Sequence, residues 1–248
     1  MSVSCEISII IPCFNRGEKL TRAVASIPSA CSVPHETILI DDCPQASGFS
    51  TAKEYGARYF YKAELEQGVS NSRNIGVTLA RGRYLAFLDD DDFFQASGLD
   101  FLYQALSRGV GFSYGNYACL HPQKSVSRSL GGLTRDDLLV SNQIPVGSYL
   151  IEKSMVKYPF DERLKSHEDW DFILGNVEWS RSCHVDREIV VIDKTENRTT
   201  SREAGRRNKF WLDFLSLYAK YPAPHLLPQR KQKLLEVGVN VGNLDIDN

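Results

Sequence analysis

The sequence predicts an α/β fold built on a mostly parallel sheet, for three reasons. Apolar, strand-like runs alternate with helical patterns over the first hundred residues, as expected for βαβ units. Pro12, Asp41 and Asp89 follow directly after the runs that end near Ile11, Ile40 and Leu88. The length of 248 residues suits a single α/β domain with a sizeable core.

The first half of the chain provides the elements of this sheet in order. The patterns predict a strand at 7–11, a helix at 18–27, strands at 35–41 and 57–61, a helix at 69–80 and a strand at 84–88. Ligands of such sheets bind outside the carboxyl ends of the strands. Pro12, Asp41 and Asp89 follow or end predicted strands, so we expect them at one edge.

The second half is less regular. The patterns predict a helix at 97–107, a strand at 110–114, a polar loop at 121–129, a helix at 133–140, a strand at 144–151, a helix at 166–179 and a strand at 188–192. We therefore expect one domain at 1–200, with halves at about 1–95 and 96–200. A helical tail follows at 201–248.

Composition and charge exclude several classes of protein. The net charge of −2 gives no overall field that would attract nucleic acid. The six cysteines have neither zinc-site spacing nor the density of a disulfide scaffold, which favours free thiols in a reducing compartment. No basic segment precedes a long apolar stretch at the N-terminus, and no apolar run reaches the roughly 18 residues of a spanning helix. We expect a soluble cytoplasmic protein.

Four consecutive aspartates, Asp89–Asp92, follow the strand Tyr84–Leu88. Like charges this close repel each other, and burying them requires a cation. A solvated acidic turn is the alternative, but an EF-hand is excluded because Phe94 stands where that loop requires glycine. The remaining interpretation is a hard cation, Mn²⁺ or Mg²⁺, that takes one or two carboxylates and also binds phosphate.

A polar helix start lies upstream of the acidic run. Gly68 precedes a helical pattern whose first turns carry Ser70, Arg73 and Asn74. Free N–H groups at a helix N-terminus and a guanidinium both suit an anion. An amphipathic helix with a polar face is the alternative interpretation.

Taken in order, four motifs resemble family 2 glycosyltransferases of the GT-A fold. They are Pro12-x-Phe14-Asn15, Ile40-Asp41-Asp42, Gly68-x-x-x-x-Arg73-Asn74-x-Gly76 and the run from Gly82-x-Tyr84 to Asp92. The resemblance spans roughly residues 5–200. It implies a Rossmann-like sheet flanked by helices, and an inverting, hexosyltransferase-type enzyme (EC 2.4) whose half at 1–95 binds the nucleotide sugar and whose half at 96–200 binds the acceptor.

The resemblance also implies roles for individual residues. The nucleotide would contact Pro12, Phe14, Asn15, Asp41, Arg73, Asn74, Asp89 and Asp90. Asp91 would bind the metal, with Asp89 or Asp90 orienting ribose or metal water. Asp169 would be the general base, with Glu168 and Trp170 on the acceptor side, where Trp170 would either stack on a sugar or fill the core.

The implied substrates are a nucleotide sugar, with UDP as the first choice, and a saccharide or lipid-linked saccharide. Two alternatives stay open: a nucleotidyltransferase acting on sugar phosphates, and a non-catalytic carbohydrate-binding protein. The first expects a glycine-rich, lysine-bearing loop after strand 1, whereas this chain reads Pro12-Cys13-Phe14-Asn15-Arg16-Gly17. Residues 196–201 lack the histidine that relatives often carry there, so no third metal contact is assigned.

The basic, amphipathic tail leaves three roles open: covering the domain, contacting a second subunit, or resting on an anionic membrane surface at the inner face of the cell membrane.

Overall fold

The computed structural model describes residues 5–62, 68–106, 109–164, 166–195 and 207–239. Within these ranges the strands are β1 (Ile7–Cys13), β2 (His35–Asp41), β3 (Arg58–Tyr61), β4 (Tyr84–Phe87), β5 (Phe93–Phe94), β6 (Phe112–His121), β7 (Lys124–Arg128), β8 (Tyr149–Glu152) and β9 (Ser182–Asp193). The helices are α1 (Glu18–Ala25), α2 (Ile27–Ala30), α3 (Phe49–Tyr55), α4 (Val69–Leu79), α5 (Gly98–Ala105), α6 (Arg135–Val140), α7 (Glu168–Asn176), α8 (Arg207–Lys220) and α9 (Leu227–Glu236). None of these helices is long and apolar enough to cross a membrane.

The first half of the sheet is parallel. Strands β3, β2, β1 and β4 lie side by side in that order. β1 is buried along its whole length, which explains its nearly continuous apolar sequence. Cys13 pairs with Asp41, so β1 and β2 end at the same level, as the sequence predicts.

The second half of the sheet is mixed. Beyond β4 the order continues β8, β6, β9 and β5, and β7 pairs with β6. β8 runs antiparallel to β4 and β6, whereas β6 and β9 are parallel. The predicted α/β architecture with a Rossmann-like, mostly parallel central sheet is confirmed.

Helix α4 lies unusually close to β1. A Cβ atom at Gly76 would stand 2.3 Å from Cγ2 of Ile10, so a side chain at this position would push the helix away from the strand. Arg73 lies nearly one turn earlier, toward the helix N-terminus at the carboxyl edge of the sheet. The close packing of α4 therefore fixes the position of Arg73.

The C-terminal helices pack on α7. Their apolar side chains bury Trp170 completely, and the cluster consists of Trp170, Phe214, Leu217, Tyr218 and Leu234. Arg230 is also fully buried and donates from Nε to the carbonyl of Leu139 (3.0 Å). Of the roles expected for the tail, covering the domain is the one that these described helices perform.

Several predicted elements need correction. The predicted loop at 121–129 contains β7, which the pattern did not reveal because this hairpin strand has no buried face. The short helix α3 was not predicted. The strand predicted at 144–151 begins only at Tyr149, because residues 146–148 form a 3₁₀ turn.

Candidate active site

The carboxyl ends of β1, β2 and β4 meet at one edge of the sheet. The acidic run Asp89–Asp92 follows β4 and is held against the loop after β1, where the N–H of Phe14 donates to Oδ2 of Asp90 (2.8 Å). Phe14 itself is 53% exposed, and Asn15 has a left-handed backbone with φ of 51°. Pro12 is buried within β1, so exposed groups of this loop begin at Phe14.

The four aspartates have different surroundings. Asp89 accepts from Nη2 of Arg73 (2.7 Å), and Asp92 accepts from the N–H of Asp193 at the end of β9 (2.9 Å). Burial raises the pKa of Asp90 to about 7, although the N–H of Phe14 opposes the shift. Asp89, Asp90 and Asp92 are therefore each bonded to a different part of the fold, which the sequence of the run does not reveal.

A guanidinium lies beside the middle of the run. Arg16 places Nε 3.3 Å from Oδ1 of Asp90 and Nη2 3.6 Å from Oδ2 of Asp91. Further along α1, Arg22 donates to the backbone carbonyl of Asp91 (2.8 Å). Positive charge already balances these carboxylates at the edge where a cation is expected.

Asp41 supports the neighbouring loop from within. Its carboxylate is completely buried and accepts from the N–H of Cys43 (2.9 Å), the N–H of Gly48 (2.7 Å) and the hydroxyl of Tyr59 (2.8 Å). Asp42 next to it is only partly buried and accepts from the N–H of Gly68 (2.7 Å). Asp41 thus shapes the loop after β2, and its contact with a nucleotide stays a prediction.

Arg73 joins the two halves of the site. Only 2% of the residue is exposed, and its Nη2 and Nη1 donate to Asp89 and Glu168, each at 2.7 Å. Its guanidinium also lies 5.3 Å from the centre of the Phe160 ring. Burial disfavours its charge, but the two carboxylates outweigh this and hold the pKa of Arg73 above its ordinary value.

Two buried polar atoms next to this ion bridge lack a hydrogen-bond partner among the described residues. They are Nε of Arg73 and the hydroxyl of Tyr149. Burial raises the pKa of Tyr149, and Asp89, Glu168 and Arg73 are among the charges that act on it. These two atoms mark a polar interior beneath the carboxylates.

The side chain of Asn74 is hydrogen-bonded to the segment before α7. Its Oδ1 accepts from the N–H of Phe160 (2.8 Å), and its Nδ2 donates to Glu162 (2.8 Å). These bonds tie Asn74, which follows Arg73 in sequence, to the segment before α7. Its contact with a nucleotide stays a prediction.

The Glu168-Asp169 pair begins α7 on the other side of Arg73. Asp169 accepts from Nδ2 of Asn142 (3.0 Å) and from the N–H of Trp170 (2.8 Å). Burial, followed by the neighbouring charge of Glu168, raises the pKa of Asp169, and Arg73 opposes the shift. A carboxyl group with a raised pKa is better matched to proton abstraction near neutral pH than an ordinary aspartate.

Trp170 belongs to the core. It is 0% exposed, and its Nε1 donates to the carbonyl of Leu138 (2.6 Å). The expected stacking of Trp170 on a sugar is therefore wrong, because its ring is enclosed by the C-terminal helices. The alternative, that it fills the core, is correct.

The described residues contain no group of three or more His, Cys, Asp or Glu side chains arranged to hold a metal ion. The acidic run nevertheless fits a cation of the Mn²⁺ or Mg²⁺ type, which takes one or two carboxylates and completes its shell with water and phosphate oxygens. The residue expected to supply a carboxylate to the cation is Asp91, which lies beside Arg16. The segment 196–201 lies outside the described residues.

Sequence reasoning missed several residues of the site. Asn142, Tyr149 and Glu162 belong to segments with no motif, so only the fold brings them in. Arg16 directly follows the Pro12-x-Phe14-Asn15 motif, and a basic residue at that spacing from a strand end was a usable signal.

Known glycosyltransferases resemble this chain in sequence. A family model described as Glycosyl transferase family 2 matches residues 8–122. TarP of Staphylococcus aureus (strain N315), named a poly(ribitol-phosphate) beta-N-acetylglucosaminyltransferase, is 26% identical over 251 aligned residues that cover 93% of this chain and 76% of TarP. An uncharacterized glycosyltransferase of Haemophilus influenzae is 30% identical over 180 residues, covering 68% of this chain and 70% of that protein.

Solved structures share the fold. S. aureus TarS 1–349, in complex with UDP-GlcNAc, matches with a TM-score of 0.68 at 16% identity, covering 94% of this chain and 80% of the TarS chain. Glucosyl-3-phosphoglycerate synthase from Mycobacterium tuberculosis, in complex with Mn²⁺, UDP and glucosyl-3-phosphoglycerate, matches with a TM-score of 0.55 at 15% identity. The match covers 87% of this chain and 79% of the synthase chain.

Proposed function

Because the chain belongs to glycosyltransferase family 2 and has the GT-A fold, we propose that it moves a sugar from a nucleoside-diphosphate donor to a saccharide or lipid-linked saccharide by direct displacement, with inversion. One observation carries the proposal. The buried guanidinium of Arg73 binds Asp89 of the acidic run and Glu168 beside the candidate base, each at 2.7 Å. This shared contact supports the proposal, because it joins a carboxylate of the acidic run to the pair that contains the candidate base.

The donor would lie along the edge formed by the loops after β1 and β2. Phe14 offers an exposed aromatic face, Asn15 an exposed polar side chain, and Asp41 holds the second loop in shape. UDP is the proposed nucleotide, supported by the UDP-GlcNAc in the TarS structure. Arg73 would contribute by fixing the carboxylates, and Asn74 by fixing the segment near Phe160.

The acidic run would hold the leaving group. Asp91 is the proposed metal ligand, with Asp90 and Asp89 orienting metal water or ribose. A bound Mn²⁺ or Mg²⁺ would stabilise the departing diphosphate. Arg16 would turn from Asp90 and Asp91 toward the diphosphate oxygens, because a guanidinium fork suits them as well as it suits carboxylates.

Asp169 is the proposed general base. The acceptor oxygen would attack the anomeric carbon, the bond from that carbon to the diphosphate oxygen would break, and the hydroxyl proton would pass to the Asp169 carboxylate. Asn142 holds this carboxylate through a 3.0 Å hydrogen bond. Glu168, held by Arg73, stands on the acceptor side.

Family membership favours glycosyl transfer over nucleotidyl transfer, and the intact carboxylates of the site argue against a protein that only binds carbohydrate. All six cysteines are free thiols, which supports a cytoplasmic location. A lipid-linked acceptor would bring the protein to the inner face of the cell membrane as a peripheral protein.

The first test is a thermal-shift panel of nucleotides and nucleotide sugars with and without Mn²⁺. A ligand of the native state raises the unfolding midpoint by an amount that grows with its affinity. We expect a UDP sugar with Mn²⁺ to give the largest shift. A panel in which no nucleotide shifts the midpoint would refute the proposed donor.

The second test measures release of the nucleoside diphosphate with the donor so identified. Asp169→Asn should keep the Mn²⁺-dependent nucleotide shift and lose transfer, whereas Asp136→Asn, at an exposed aspartate of α6, should keep both. Normal turnover by Asp169→Asn would refute the base assignment while leaving the donor site intact.

A further inference from the structure

The start of α7 has a backbone that its own sequence does not favour. His167, immediately before the Glu168-Asp169 pair, adopts the left-handed conformation with φ of 61° and ψ of 19°. This conformation is unfavourable for a non-glycine residue. His167 also makes no side-chain cap hydrogen bond with the helix that it precedes. Contacts from elsewhere must hold this turn in place.

Helix α8 supplies those contacts through Asp213. One carboxylate oxygen of Asp213 accepts from both the N–H (2.8 Å) and the hydroxyl (2.7 Å) of Ser166. Asp213 is 8% exposed, so little water competes for these bonds. Bonds of this kind to a charged acceptor are the stronger hydrogen bonds of proteins.

Ser166 passes the restraint to His167. The Ser166 hydroxyl has one proton and donates it to Asp213. In the 2.8 Å contact with His167, Nδ1 of the imidazole must therefore be the donor and the Ser166 oxygen the acceptor. Burial lowers the pKa of His167, which favours the neutral ring with one N–H. Asp213, Ser166 and His167 thus form a directed chain of hydrogen bonds that ends at the residue before the helix.

Aromatic packing restrains the same turn from the other side. The His167 ring meets Phe214 of α8 edge-on at 4.7 Å and lies 5.8 Å from the Trp170 ring. Phe214 and Trp170 are themselves 5.1 Å apart. Two consecutive residues of α8, Asp213 and Phe214, therefore hold the turn.

We propose that Asp213 is a positioning residue for the Asp169 carboxylate, a role that rests on the proposed function. Successive residues of an α-helix differ by about 100° in direction, so the residue at which α7 begins decides where Asp169 points. Without the bonds to Asp213, the cost of the left-handed turn favours a different helix start. Misplacement of a reacting group by about 1 Å can reduce the rate by about 100-fold.

The test compares Asp213→Ala with Asp171→Ala. Asp171 also joins α7 to the end of α8, by accepting from Nζ of Lys220 (2.7 Å) and the hydroxyl of Tyr221 (2.9 Å), but from within α7 and not at the turn before it. Loss of either aspartate loosens the same pair of helices. Both variants are assayed below their unfolding midpoints, for kcat, for donor KM and for the Mn²⁺-dependent nucleotide shift.

We expect kcat of Asp213→Ala to fall by about 100-fold, with the donor KM and nucleotide shift within about twofold of wild type. Asp171→Ala should keep kcat within about threefold. Asp213→Asn should recover part of the lost rate, because its amide oxygen still accepts from the Ser166 N–H. This conservative variant also covers the case in which Asp213→Ala does not fold.

Equal kcat values for Asp213→Ala and Asp171→Ala would overturn the positioning role. So would parallel losses of nucleotide binding and kcat, which indicate general unfolding. Asp169→Asn separates the two levels of the hypothesis. Normal turnover by Asp169→Asn would overturn both the proposed base and the positioning role. If Asp169→Asn loses transfer but Asp213→Ala keeps its kcat, the positioning role alone is overturned.

Discussion

Replacing Arg73 by glutamine is the most direct test of the buried ion bridge. The substitution removes two charge-assisted hydrogen bonds of 2.7 Å from a side chain that is 3% exposed. It leaves Asp89 and Glu168 without their shared partner. Removing one member of a buried ion pair costs about 3–5 kcal/mol, mostly because the remaining charge is left uncompensated.

The magnitude for this site lies at the lower end of that range. The side chains of Asp89 and Glu168 are 28% and 15% exposed, so water partly replaces the guanidinium. We expect the free energy of unfolding to fall by about 3 kcal/mol. For a chain of this length that corresponds to about 6–12 °C in the thermal midpoint.

The assay is thermal and urea unfolding of the metal-free protein. Lys157→Gln is the control, because its ion pair with Glu178 joins two well-exposed side chains at 3.5 Å and should contribute less than about 1 kcal/mol. Adding Glu168→Gln to Arg73→Gln should recover part of the loss, since it removes one uncompensated charge. A loss below about 1 kcal/mol in Arg73→Gln would refute the account of the bridge.

Three further predictions concern the metal, the base and the core. Asp91→Asn should abolish the Mn²⁺-dependent part of the UDP thermal shift and reduce transfer by more than about 100-fold, and an unchanged metal response would exclude Asp91 as a ligand. As the proposed base, Asp169 must lose its proton, so kcat should rise with pH through its raised pKa. Glu168→Gln removes the neighbouring negative charge and should move this rise to lower pH, whereas a shift to higher pH would contradict the assignment. Trp170→Phe should lower the free energy of unfolding by about 2–4 kcal/mol, because it leaves the Leu138 carbonyl unpaired and a small cavity, and urea unfolding would measure it.

The sheet edge was predictable because its signals are local. A buried parallel strand needs a nearly continuous apolar run, and Ile7–Ile11 provides one. Because parallel strands end at the same edge of a sheet, the residues that follow them lie at that edge, regardless of how the rest of the chain packs. Asp41 and Asp89 therefore lie at the same edge of the sheet, as expected.

The partners of the site residues were not predictable, because they depend on contacts between distant segments. Asn142 reaches Asp169, and Asp213 reaches Ser166, from stretches whose sequence carries no motif that links them to the site. The role of Asn74 was hidden for a related reason. A polar side chain within a motif looks the same in sequence whether it faces a ligand or bonds to a neighbouring loop.

The burial of Arg73 explains why the two halves expected from the sequence cannot be independent folding units. Its guanidinium is compensated by Asp89 from the first half and by Glu168 from the second, and either carboxylate alone would leave part of the buried fork unpaired. The sheet is likewise continuous, because β4 of the first half pairs with β8 of the second. The halves therefore describe only which ligand each part is proposed to contact, because the positions of Asp89 and Glu168 depend on one guanidinium that they share.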